Sequence, residues 1–244
     1  ASQYRRMWRA EKELSEGFEG IITVSPEDSA FCREQYQLRR VLGDVPTGVD
    51  VDAFQPPAKP AAAPVIGFLG SMDWMPNIDG VLWFAREVLP KVREQMPDVR
   101  VKIIGRNPPA SIRALAADLA IEVTGTVPEV QPHVHGCRVI AVPLLAGGGT
   151  RIKIFEAMAM GVPVISTTIG AEGLPVRHGE EIEIADDAES FAQGTLNLLA
   201  DAAAAARMAS NARELMEQRF SWRFAASKFV ELCQQAMDHQ QRPS

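Results

Sequence analysis

Two apolar runs, Val139 to Leu145 and Val162 to Ile165, enclose a glycine triplet and a segment with helical spacing. A strand, a glycine loop, a helix and a second strand in that order constrain the fold more than anything else in the chain. Gly147, Gly148 and Gly149 carry no side chains, so a ligand can come close to their backbone. The helix is expected to start near Thr150. Its first free N–H groups and its dipole favour an anion there.

Inside this helix two charged residues, Lys153 and Glu156, sit among Ile154, Phe155, Ala157, Met158, Ala159 and Met160. They are three apart and share a stripe with Gly149. A carboxylate in such company is costly unless hydrogen bonds are donated to it. The rise of roughly 9 Å from Thr150 to Glu156 fits a diphosphate followed by a ribose. A solvated Lys–Glu pair on a surface helix would explain the same two residues without a ligand.

The segment Glu156-Ala157-Met158-Ala159-Met160-Gly161-Val162-Pro163-Val164-Ile165 resembles the donor-binding core of family 4 glycosyltransferases of the GT-B fold. Their pattern is a glutamate, seven residues, a second glutamate and an EAMA-x-G-x-PVI ending. Gly148 stands at the first glutamate's position. The resemblance implies that Glu156, at the second, holds the ribose of a nucleotide. Gly70-Ser71-Met72-Asp73-Trp74 resembles the family's first donor-domain loop, and Gly125-Thr126-Val127 its loop under the base. An ordinary strand-end turn explains the latter equally well. Ala171-Glu172-Gly173-Leu174 resembles a loop near the donor sugar. Phe220-Ser221-Trp222 resembles the entry to the last helix, and a core aromatic pair explains it equally well. Pro46-Thr47-Gly48-Val49-Asp50-Val51-Asp52-Ala53-Phe54 resembles the end of the N-terminal acceptor domain.

At 244 residues the chain is long enough for one large or two smaller domains, and 46% apolar residues suffice for a core. A formal net charge of -6 argues against a general nucleic-acid binder. There is no run of 18 apolar residues, so no transmembrane segment is expected; peripheral membrane contact stays open. Cys32, Cys137 and Cys233 are far apart and odd in number, which reads as a reduced cytoplasmic protein without a zinc site. The chain begins with Ala, which reads as a fragment or a processed form.

The first 54 residues read as helix, strand, helix, strand. Ser25-Pro26-Glu27-Asp28 supplies a cap, a first-turn proline and acidic residues. Residues 55–64 (QPPAKPAAAP) form a stiff linker. Strand–helix alternation then takes over. Strands are expected at 65–70, 99–105, 121–125, 139–145 and 162–165, with an edge strand at 181–185. A helix follows the first of these with Asn77 as cap, and Pro90 should kink or interrupt it. Shorter helices are expected at 111–119 and 128–135, and three more at 188–199, 202–219 and 221–237. The expected fold class is α/β: a doubly wound, Rossmann-like parallel sheet with helices on both faces. By resemblance it is a GT-B C-terminal domain. The expected division is 1–54 as a remnant of the acceptor domain, 55–64 as linker, 65–220 as donor domain, and 221–244 as C-terminal helix and tail.

In such a sheet ligands bind beyond the carboxyl ends of the strands. The loops 70–76, 105–108, 125–129, 145–150 and 166–174 therefore line one expected crevice. The first loop holds no basic residue, so phosphate charge is assigned to Lys153 and Arg151. They lie about 200° apart around the helix, and Lys153 shares Glu156's stripe. The absence of GxxxxGK[ST] and of GxGxxG after the first strand disfavours an ATPase or a dehydrogenase. His133, His135 and His178 read as surface residues, without a metal site. The resemblance implies a retaining glycosyltransferase that takes a UDP-, GDP- or ADP-sugar and needs no further cofactor. Its product would be a polysaccharide or glycoconjugate, its acceptor is unassigned, and without most of an N-terminal domain it would be poorly active alone. Expected donor-site residues are Gly70, Ser71, Gly125, Thr126, Val127, Gly147, Gly148, Gly149, Thr150 and Glu156, with Lys153 and Arg151 catalytic. A sugar-nucleotide epimerase of the same fold and a non-catalytic nucleotide-sugar binding module are the alternatives.

Overall fold

A computed structural model describes residues 2–147 and 152–240. They group into two compact units, residues 1–48 with 219–244 and residues 49–218.

The first unit holds α1 (Ser2–Glu16), β1 (Ile21–Thr23), α2 (Pro26–Glu34), β2 (Val41–Asp44) and α10 (Trp222–Gln240). β1 and β2 pair in parallel. Ser25 caps α2 by accepting a hydrogen bond from the Asp28 amide at 3.0 Å, with Pro26 in the first turn. Tyr36 packs edge-on against Trp8 and Phe31, and its hydroxyl donates to Glu11. Lys228 of α10 pairs with Asp44 at 2.9 Å, and the side chain of Leu232 lies against Gly43.

The second unit contains β3 (Val65–Leu69), α3 (Met75–Trp83), α4 (Leu89–Gln95), β4 (Arg100–Ile104), α5 (Ala110–Arg113), β5 (Ile121–Gly125), α6 (Gln131–His135) and β6 (Val139–Val142). Then come α7 (Ile152–Ala159), β7 (Val164–Ser166), β8 (Glu183–Ile184), α8 (Ala188–Ala200) and α9 (Ala202–Arg219). Among the described residues the sheet has six strands in the order β5-β4-β3-β6-β7-β8, all parallel. β6 is completely buried, as its unbroken apolar run requires. The chain winds one way from β3 to β5 and the other way from β6 to β8. The switch point lies between β3 and β6, where such sheets open a crevice.

Two sequence expectations are corrected in detail, and the expected interruption at Pro90 is observed. Trp74, not Asn77, occupies the N-cap of α3, with extended backbone angles. Asn77 lies inside the helix and is 4% exposed, its amide committed to partners described below. The helix expected at 111–119 is split into α5 and a 3-10 turn over Ala114–Ala117. Asp118 leaves helical geometry there, and its carboxylate accepts from Arg93 and from the Ala120 amide at 2.9 Å. Around Pro90 the helix is interrupted rather than ended. A π-helical segment, Phe84–Val88, separates α3 from α4, and the wider turn accommodates a residue that lacks an N–H.

Residues 49–54 belong to the second unit. Arg213 of α9 holds them there: its guanidinium donates to the carbonyls of Val51 (2.8 Å), Phe54 and Ala159. A half-buried cation that satisfies carbonyls from two segments ties the strap ahead of the sheet to the end of α7.

The sheet's carboxyl edge depends on one close approach. β3 and β4 run in exact step, Leu69 beside Ile104, so Gly70 and Gly105 lie side by side just beyond them. A Cβ on residue 105 would sit 1.9 Å from the Gly70 carbonyl oxygen. Backbone cannot yield there, so Gly105→Ala should destabilise the fold by about 1–3 kcal/mol. Gly136→Ala is the control: its Cβ would meet nothing nearer than 3.4 Å and its φ is negative, so it should change stability by less than about 0.5 kcal/mol. Urea unfolding of the two variants checks this, and equal midpoints would contradict it.

Candidate functional site

The carboxyl ends of β3, β4 and β5 align, with Leu69 beside Ile104 and Ile104 beside Gly125. A register shift in β5 accompanies the last pairing, and Gly125 takes φ +69°, a backbone conformation suited to glycine. Above these ends lies a cleft of about 300 Å³. Its walls come from the loops after the three strands and from α7 on the far side of the switch point. Gly70, Ser71, Gly125, Thr126, Val127, Lys153 and Glu156, all expected from the sequence, line it together. Gly147 is exposed with φ +124° and is not part of that lining. Gly148, Gly149, Thr150 and Arg151 lie outside the described residues.

Lys153 and Glu156 differ in their surroundings. Lys153 donates from Nζ to Asn77 Oδ1 at 2.5 Å and lies 5.0 Å from the centre of the Phe68 ring. Asn77 in turn donates to the Ser71 carbonyl at 2.7 Å. This buried amide therefore connects the loop after β3 to α7 and aims the ammonium along the cleft wall. Glu156 is half-buried, and among the described residues its carboxylate has no hydrogen-bond partner. Burial alone raises its pKa above the ordinary glutamate value. An acceptor pair held at such cost is suited to a ligand that brings its own donors, such as two vicinal hydroxyls.

Sequence reasoning passed over Arg106, which also lines the cleft. Its Nε donates to Ser71 Oγ at 3.1 Å and to Asp73 Oδ2 at 2.9 Å. Asn107, in the left-handed region at φ +53°, donates to Asp73 Oδ1 at 3.0 Å. The hydrogen bond from Asn107, then that from Ser71, holds the Asp73 carboxyl below its ordinary range, with Arg106 adding to the effect. The signal that could have found Arg106 was its place one residue beyond a strand-end glycine, beside the first loop.

The other candidates lie apart from the cleft lining. Ala171 is buried and Glu172 and Gly173 are exposed. His133 and His135 are half-buried, and a ring nitrogen of His135 is 2.9 Å from the Gln55 carbonyl oxygen. His178 is exposed, and its Nδ1 accepts from the Ile184 amide at 3.1 Å. Among the described residues no group of three or more His, Cys, Asp or Glu could hold a metal ion. No described helix is long and apolar enough to cross a membrane.

Residues 63–201 match the family model described as "Glycosyl transferases group 1". Among curated relatives, an uncharacterised 44.6 kDa protein of the Klebsiella pneumoniae cps region is 27% identical over 161 residues, covering 63% of this chain and 42% of the relative. A phosphatidyl-myo-inositol mannosyltransferase of Mycobacterium leprae is 28% identical over 197 residues, covering 77% and 52%. The chain thus spans about half the length of these relatives. Among solved structures, sucrose-phosphate synthase of Thermosynechococcus elongatus superposes with a TM-score of 0.74 at 22% identity, over 96% of this chain and 62% of that one. Anabaena Alr3699/HepE, solved with UDP and glucose, gives 0.71 at 18% identity, over 93% and 66%. These two likenesses concern the fold.

The burial of Glu156 has a measurable consequence. Its folded pKa is raised, so below the unfolded value, about 4.3, both states are protonated and no stability is lost. As pH rises from there through the raised folded value, the unfolded chain ionises first and stability falls. In the unliganded protein Glu156→Gln should therefore melt higher than the parent at pH 7, and the gap should close near pH 4. A gap of the same size at both pH values would contradict the assignment.

Proposed function

Because this chain belongs to the glycosyl transferases group 1 family, we propose that its cleft binds the nucleoside-diphosphate part of a sugar donor. The observation that carries the proposal is the placement of Lys153 and Glu156 on one wall, facing glycine-ended strands. The ribose hydroxyls donate to the Glu156 carboxylate, which relieves the cost of its burial. The diphosphate lies nearer the start of α7, beside Lys153. Thr126 and Val127 flank the base.

Transfer breaks the bond between the sugar's anomeric carbon and the diphosphate and joins that carbon to the oxygen of an acceptor hydroxyl, whose proton passes to the departing diphosphate. Positive charge fixed beside the departing diphosphate stabilises the negative charge that develops on it. Retention at the anomeric carbon, and a product in polysaccharide or glycoconjugate synthesis, follow from the family resemblance. The curated relatives named mannosyltransferases support a sugar-transfer role, and the UDP-bound fold neighbour supports a nucleotide donor. The donor is a UDP-, GDP- or ADP-sugar.

A calorimetric screen of the three nucleotide classes tests the proposal, and two substitutions separate its parts. Lys153→Ala should weaken a nucleoside diphosphate much more than the bare nucleoside. Glu156→Ala should weaken both alike, by roughly 10- to 150-fold, since hydrogen bonds to a charged group contribute about 1.5–3 kcal/mol. Lys153→Ala also strands the buried Asn77 oxygen, so melting curves of both variants must accompany the titrations. Parent-like binding of both ligands by a folded Glu156→Ala protein would refute the ribose assignment. Because Lys153 supplies cationic charge itself, EDTA should leave diphosphate affinity unchanged; a loss of more than tenfold would show that a metal is required.

A further inference from the structure

Two cations reach the cleft from different elements, and both are fastened to Ser71. Lys153 reaches its carbonyl through Asn77, by hydrogen bonds of 2.5 and 2.7 Å. Arg106 donates directly to its hydroxyl at 3.1 Å. The guanidinium is fixed by Nε alone, to Ser71 Oγ and Asp73 Oδ2. Its two Nη nitrogens have no partner among the described residues, and its side chain is 64% exposed. Asp73 is itself held at both oxygens, by Asn107 on Oδ1 and by Ser71 and Arg106 on Oδ2. The brace thus fixes the base of a donor fork and leaves the prongs unsatisfied.

We infer that Arg106 is a second diphosphate-binding residue, working opposite Lys153, and that Asp73 and Asn107 are positioning residues that hold its fork toward the anion. The inference rests on the proposed nucleoside-diphosphate site and adds the group that completes it. A planar guanidinium suits two oxygens of one phosphate group, whereas an ammonium acts as a point charge. Lys153 and Arg106 together therefore grip a diphosphate from two directions. A mononucleotide has fewer oxygens to span between them. The brace also explains Asn107's left-handed backbone: that strain aims its amide at Asp73 and fixes the loop after β4.

The test titrates the full chain with UDP, GDP and ADP, with the matching nucleosides, and with inorganic pyrophosphate. Arg106→Ala should bind the preferred diphosphate and pyrophosphate about tenfold or more weakly while nucleoside affinity stays unchanged. Arg106→Lys should recover only part of the loss, because an ammonium cannot form the fork. Asp73→Asn should lower diphosphate affinity by a smaller factor, again sparing the nucleoside. It should also blunt the effect of a subsequent Arg106→Ala, since a loosened fork has less to lose. Equal loss of nucleoside and diphosphate in Arg106→Ala would overturn the assignment and place the residue against the base. Unchanged diphosphate binding in Arg106→Ala, with the parent binding normally, would overturn this inference alone. A parent that binds none of the diphosphates would overturn the proposed function with it.

Discussion

The carbonyl oxygen of Gly70 occupies the space in which a side chain on residue 105 would begin. That contact lets β3 and β4 finish in step, with their following loops starting at one height. Everything that reaches the cleft is set from there. Ser71, one residue past the first glycine, takes hydrogen bonds on both its carbonyl and its hydroxyl. Arg106, one residue past the second, is brought alongside it. A larger residue at either glycine would separate the loops and dissolve the network. Parallel pairing gives the sheet its open end; the glycines make that end a site.

Opposite this edge, α7 sets a cost against a benefit. Ile154, Phe155, Ala157, Met158 and Ala159 are buried apolar groups that hold the helix on the sheet. Glu156 shares the helix but points to the cleft, half-buried and without a partner among the described residues. Burial opposes its ionisation, so the empty site is less favourable than an apolar one would be. A ligand that donates hydrogen bonds recovers that cost on binding. On the proposed function, stability and recognition oppose each other at this one carboxylate.

Much of this was legible in the sequence, because the signals were local. The buried strands read as apolar runs, and α8, α9 and α10 as three successive helices close to their observed bounds. Ser25-Pro26 announced its own cap. The order of strands and helices implied the parallel sheet, and the sheet implied which loops would meet. Lys153 and Glu156 were visible because two charges stand out within an apolar helix. What escaped was non-local. Asn77 has the composition of a cap, yet its amide is drawn inward by Ser71 and Lys153, partners separated by 6 and 76 residues. Arg106 is 35 residues from Ser71 in sequence, and only the in-step pairing of β3 and β4 joins them. The break at Asp118 depends on Arg93, from another helix. Local propensity cannot register a hydrogen bond to a partner that the fold has yet to bring near.

The central claim is that one cleft, at the carboxyl ends of β3, β4 and β5 and against α7, holds a nucleoside diphosphate in a defined orientation. A crystal structure of the chain soaked with the nucleoside diphosphate it binds best addresses that directly. The account predicts ribose hydroxyls within hydrogen-bonding distance of the Glu156 carboxylate and the diphosphate between Lys153 and Arg106. A ribose turned away from Glu156, or a nucleotide seated elsewhere on the sheet, would contradict it.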